Sequence, residues 1–136
     1  MGVYPRMSVA IDKHHNRTIG HFIADTWWYG LTDRILTDEF YRLAQQRKDE
    51  GFSAIQLVMG IPPEVAIDSP QSHGGGKPAF CLQESNLIIN QDYIAAALEK
   101  IEILNKLHLK PIIYGGWGPQ IGQIGRNNMI EWWEGN

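Results

Sequence analysis

Five residues in this chain have the type and setting to handle a polyhydroxylated ligand: Asp25, Trp27, Trp28, Gln56 and Trp117. The first three stand in the stretch ADTWWYG, Ala24 to Gly30, directly behind the apolar run HFIA. Flat indole rings offer large, rigid contact area at little rotamer cost, and each carries an N–H donor. They suit the apolar C–H face of a sugar, while carboxylates and amides take its hydroxyls. Gln56 interrupts the otherwise apolar run SAIQLVMG, and if it points the same way as Asp25 the two can share a polar network. Packing accounts for the same residues as well: Trp27, Trp28 and Tyr29 as plugs of a sheet end, Asp25 as the cap of a local turn, Gln56 as a buried tie to backbone. Both uses stand open on these residues alone.

The elements that would position them alternate. MSVAI and TIGHFI, within residues 7–23, read as two short strands around the turn-like DKHHNR, a hairpin leading into the first core strand. A helix is expected from Thr37, capped by Thr37, with Asp38 and Glu39 in its positive first turn, Phe40, Leu43 and Ala44 on its apolar face, and Gly51 as its end. Ser53 to Gly60 reads as a parallel strand covered on both faces. Ile61 to Ile89 reads as one long irregular segment rich in Pro, Gly and Ser. Asn90 is placed to cap a second helix with Ile94, Ala97, Leu98, Ile101, Leu104 and His108 at helical spacing. Pro111 to Gly118 reads as a third strand, and Arg126 to Trp133 starts a third helix.

Strand, helix, strand, helix, strand, helix implies an α/β fold with a parallel sheet, right-handed crossovers, and ligand loops at the strand C-termini. On that plan Asp25, Trp27 and Trp28 follow the first strand, Gly60 the second, and Gly115 to Gly118 with Trp117 the third. Three exits then converge on one face.

Composition removes several other functions. The chain has 136 residues, enough for one domain. Twelve basic and fifteen acidic residues leave a net charge of -3 with no basic stripe, which argues against nucleic acid. No window has the uninterrupted apolar length of a membrane span, and the N-terminus lacks the pattern of a secretory signal. The lone Cys81 has no cysteine partner in the chain. HGGGKP, His73 to Pro78, resembles an esterase oxyanion segment, but the chain has no G-x-S-x-G. Nor is it a phosphate loop, since Pro78 follows Lys77. A mobile loop tip is expected there. His14, His15 and His21 lack metal-ligand spacing, and Glu131 and Glu134 read as a solvated helix face. Neither metal nor cofactor is expected.

The runs HFIADTWWYGLTDRILTDEFYRLAQQRKDEGFSAIQLVMG and PIIYGGWGPQIGQIGRNNMIEWW resemble the DUF4038 family of apiosidase-like glycoside hydrolases. The most specific pieces are A-D-T-W-W, R-x-x-x-G-F-x-x-I-Q and G-x-W-G. The resemblance implies a (β/α)8 TIM barrel acting on plant-type glycans or glycosides, with Asp25, Trp27, Trp28, Gln56 and Trp117 on the pocket wall. Such a barrel needs about 250 residues. Residues 1–136 are therefore expected to be its N-terminal part, a hairpin and the first three βα units, truncated before the strands that carry the family's two catalytic carboxylates. The catalytic residues are unassigned, and the chain alone is expected to be an inactive hydrolase fragment contributing sugar-pocket residues. A non-catalytic carbohydrate-binding remnant and a small α/β ligand-binding module are the alternatives. Open sheet edges suggest self-association, and the resemblance allows an exported bacterial protein.

Overall fold

Apolar residues that recur every second position, then every third or fourth, set the layers of this molecule, a computed structural model that describes residues 2–3, 10–12, 17–66, 69–84, 86–115 and 134. In chain order the elements are β1 (Gly2–Val3), β2 (Ala10–Asp12), β3 (Arg17–Gly20), β4 (Ala24–Trp27), α1 (Thr37–Asp49), β5 (Ala54–Val58), a 3-10 turn at Pro70–Ser72, β6 (Phe80–Gln83), β7 (Asn86–Ile89), α2 (Gln91–Lys106) and β8 (Lys110–Tyr114). The fold is mixed α/β, and its centre is a parallel sheet of three strands, β4, β5 and β8. The short β1 adds to the outer edge of β4 in the antiparallel sense. β2 pairs with β3, and β6 with β7, as separate antiparallel hairpins.

The register aligns Thr26 with Gln56 and Gln56 with Ile112, and at the C-terminal end Trp27 with Leu57 and Val58 with Tyr114. Successive side chains of a strand point to opposite faces. On one face Trp27, Ile55 and Leu57 join Phe40 and Ala44 of α1 and Tyr93, Ala97 and Leu104 of α2 in the buried core. Trp27 meets Phe40 edge-on, with centroids 5.3 Å apart. Both helices thus cover the same face of the sheet, and the opposite face carries Thr26, Gln56 and Ile112.

Local chemistry sets the helix ends. Asn90 caps α2, its side-chain oxygen accepting from the Asp92 amide at 3.2 Å. α1 begins differently from expectation: Thr37 is its first helical residue, and the capping position falls to Leu36, which has no side chain able to cap. The C-terminus of α1 is a Schellman turn in which Phe52 N–H donates to Arg47 C=O and Gly51 N–H to Lys48 C=O, both at 3.0 Å. Gly51 closes it at φ 91°.

Three further expectations are corrected. The TIGHFI strand ends at Gly20 within the β2–β3 hairpin, and the first parallel strand starts at Ala24, so ADTW is the strand and not its exit. The segment 61–89 is not wholly irregular, since 80–89 forms the β6–β7 hairpin. On α2, Leu98 is exposed and His108 lies past the helix end at φ 57°, while Tyr93 and Lys100 occupy the buried stripe. The expected third helix from Arg126, the glycines at 116 and 118, and the turn at His14 and His15 lie outside the described residues. Among the described residues no helix is long and apolar enough to cross a membrane.

At Gly51 nothing lies within 4 Å of an added Cβ, so only the left-handed backbone resists substitution. Gly51→Ala is expected to lower unfolding stability by about 1–2 kcal/mol, and Gly51→Asn by less, in urea titrations.

Candidate functional site

The alternation along β4 sorts the residues of ADTWW into two groups. Asp25 and Trp27 point toward the helices and have no exposed surface. The Asp25 carboxylate accepts from Thr26 N–H at 2.8 Å, from Trp27 Nε1–H at 2.8 Å and from Arg47 Nε–H of α1 at 2.7 Å. A carboxylate buried in this way is tolerated because each donor replaces lost water, and removing one partner of such a pair costs about 3–5 kcal/mol. The bond to Asp25 holds the Arg47 guanidinium above its ordinary value, against the opposite pull of burial. Arg47 also reaches Glu50 at 3.1 Å.

Thr26 and Gln56 occupy the other face. The Thr26 hydroxyl donates to Gln56 Oε1 at 3.1 Å across the β4–β5 pairing. The expectation of an Asp25–Gln56 network is therefore corrected: the two side chains lie on opposite faces, and the partner of Gln56 is Thr26, one position along. At the C-terminal end of the sheet Trp28 packs edge-to-face on Tyr114, with centroids 5.4 Å apart and planes at 85°. Trp28 leaves β4 and Tyr114 ends β8, so the two rings come together from strands on either side of β5. An aromatic pair at the strand exits with a hydroxyl–amide pair beside it is the candidate site. Tyr114, 38% exposed, was not anticipated; its position at the last pairing of the third strand was the available signal. Trp117 lies outside the described residues.

Two side chains of α2 hold the loops around this site. Lys100 is 4% exposed, and its ammonium donates to the carbonyls of Gly30 and Thr32, each at 2.9 Å, and of Ile35. At 5.6 Å it also lies over the Phe40 ring. Tyr93, fully buried, accepts at its hydroxyl from Gly60 N–H at 2.8 Å and so fixes the exit of β5. Burial pushes the Tyr93 hydroxyl up to about 12. Neither residue was identified from sequence, because a lysine at a core position breaks an apolar template even where its helical spacing fits.

HGGGKP, expected as a free loop tip, is hydrogen-bonded to the β4–α1 loop. The carboxylate of Asp33 accepts from Gly75 N–H and Gly76 N–H, both at 2.8 Å, and His73 C=O accepts from Asp33 N–H at 2.7 Å. Among the described residues no cluster of His, Cys, Asp and Glu could hold a metal ion. His21 and Glu134 are exposed.

A three-stranded parallel sheet with helices on one face and an aromatic pair at its strand exits places the molecule in the mixed α/β class. The sequence matches the family described as "Apiosidase-like, catalytic domain" over residues 13–132, and the chain belongs to that family. No curated protein and no solved structure matches it.

Burial pushes the Lys100 ammonium down to about 8, against the opposing pull of Asp33 and Glu99. The unfolded chain keeps this proton up to its ordinary value of 10.5. Between those limits the unfolded state binds more protons, so the Lys100 contribution to stability rises with pH, by at most about 1.4 kcal/mol per unit, and is flat below the window. The stability difference between wild type and Lys100→Met, measured in urea from pH 7 to 10, is expected to move in favour of wild type above pH 8. A pH-independent difference would contradict the assignment.

Proposed function

We propose that this chain supplies the first three βα units of a glycoside-hydrolase-like (β/α)8 barrel and one wall of its saccharide pocket, without the catalytic carboxylates. The observation that carries this is the placement of Trp28, Tyr114, Thr26 and Gln56 on the sheet face opposite the helices, toward the C-terminal ends of the parallel strands. Active sites of such barrels form at that end. The Trp28 ring takes the C–H face of a sugar, and Gln56, its carbonyl oxygen engaged by Thr26, turns its NH₂ group to a ring hydroxyl. The family resemblance adds Trp117 to the residues proposed to bind sugar. Asp25 and Trp27 serve behind the wall, fixing β4 against α1.

Glycoside hydrolysis needs two carboxyl groups flanking the scissile bond. Asp25 cannot be one of them while its oxygens accept from Thr26, Trp27 and Arg47 on the helix side. On this reading the chain binds a plant-type glycan or glycoside at this wall, and Asp25 is not one of the carboxylates that would act on it.

Tryptophan fluorescence titration with plant oligosaccharides tests the reading. A saturable response is expected in wild type, with affinity reduced about tenfold in Trp28→Ala, equivalent to about 1.4 kcal/mol, and less in Trp28→Phe. Glycosidase assays of the same preparation are expected to show no turnover. An unchanged affinity in Trp28→Ala, or genuine turnover, would overturn it.

A further inference from the structure

We propose that Asp33 and Lys100 are positioning residues for the saccharide wall: they hold, from its two sides, the loop that begins at Trp28. This rests on the function proposed above. The loop runs from Trp28 to Leu36 between β4 and α1. On its buried side a single ammonium, that of Lys100, gathers the carbonyls of Gly30, Thr32 and Ile35. Three acceptors spread over six residues and bound to one point leave the loop little freedom on that side. Gly30 adds a close approach, since a Cβ there would meet Leu57 Cδ2 at 2.7 Å.

On its solvent side the loop is held by Asp33 and the glycine run. Gly75 and Gly76 lie at φ 61° and 76°, left-handed conformations that present two successive N–H groups to one carboxylate. Each Asp33 oxygen takes one of them. The run is shaped for this contact. A Cβ at Gly74 would meet Leu31 O at 2.8 Å and the Tyr93 ring at 2.9 Å, and one at Gly75 would meet Asp92 O at 2.8 Å. HGGGK is thus a strap docked between the β4 exit loop and the start of α2. Tyr93 ties that start of α2 to Gly60, so the exits of β4 and β5 are fixed to one another through groups that lie away from the wall.

Asp33 is exposed, so its substitution leaves the core packed, whereas Lys100→Met changes core packing together with the loop contacts. The experiment therefore uses Asp33→Ala and the conservative Asp33→Asn, which keeps one acceptor oxygen. Three readouts are taken: amide exchange at Gly75 and Gly76, acrylamide quenching of Trp28 obtained by difference from Trp28→Phe backgrounds, and affinity for the plant oligosaccharide that wild type binds best. In Asp33→Ala we expect lost amide protection, a rise of about twofold in the Trp28 quenching constant, and affinity weakened about threefold or more, with protection in the α2 interior unchanged. Asp33→Asn is expected to fall between the two.

Lost protection at Gly75 and Gly76 with unchanged Trp28 quenching would make the strap merely structural and overturn the proposal. If wild type binds no oligosaccharide, the proposed function fails on its own, and Trp28 quenching still decides whether Asp33 positions the loop.

Discussion

The burial of the Asp25 carboxylate fixes which way every neighbouring side chain of β4 points. Its three donors, Thr26 N–H, Trp27 Nε1–H and Arg47 Nε–H, lie on the helix side or in the strand itself. A strand has a period of two, so a shift by one residue would bring Asp25 to the opposite face and bury Thr26 against the helices. With Asp25 turned toward Arg47, Trp27 must enter the core beside Phe40, and Thr26 must face Gln56 across the sheet. The surface that carries Trp28 and Tyr114 exists because that choice is made three residues earlier, at Asp25.

Holding the loops is a separate task, and α2 performs much of it. An α-helix brings positions seven apart to the same face, and Tyr93 and Lys100 are so related. One fixes the exit of β5 through Gly60, the other the exit of β4 through three loop carbonyls. Both are buried polar groups in an apolar core, costly unless satisfied, and both are satisfied by backbone. Their partners are carbonyls and amides of irregular segments that make few regular bonds of their own. The same residues therefore relieve two deficits: the loops gain partners, and the hydrogen bonds offset part of the desolvation that burial imposes on the two side chains. Asp33 repeats the device at the surface with the glycine run.

Most of the central layout was legible in the sequence. The period of α1, the apolar run Ala54–Val58 and the Asn90 cap each carry a strong local signal, and each forms as its chemistry requires. The start of β4 was not legible, because an acid inside a strand reads as a boundary until Arg47, 22 residues later, supplies its counter-charge. The glycine run read as a flexible tip for the same reason: its partner, Asp33, lies about forty residues upstream, with separations of 42 and 43. The β6–β7 hairpin hid in a segment whose Pro and Gly content suggested irregular chain, although Leu87, Ile88 and Ile89 carry the strand propensity. Of the five residues singled out for the site, Trp28 and Gln56 share the open face and Asp25 and Trp27 share the buried one, a division that follows from one misplaced strand start.

The division between Trp27 and Trp28 is also the most direct test of the account. Their indole N–H resonances can be assigned by Trp27→Phe and Trp28→Phe substitution and followed by two-dimensional NMR during hydrogen exchange and saccharide addition. The Trp27 signal, bound to Asp25, is expected to exchange slowly and stay unmoved by plant oligosaccharides, while the Trp28 signal shifts on their addition. A Trp27 indole that exchanges freely and moves with the sugar would contradict it.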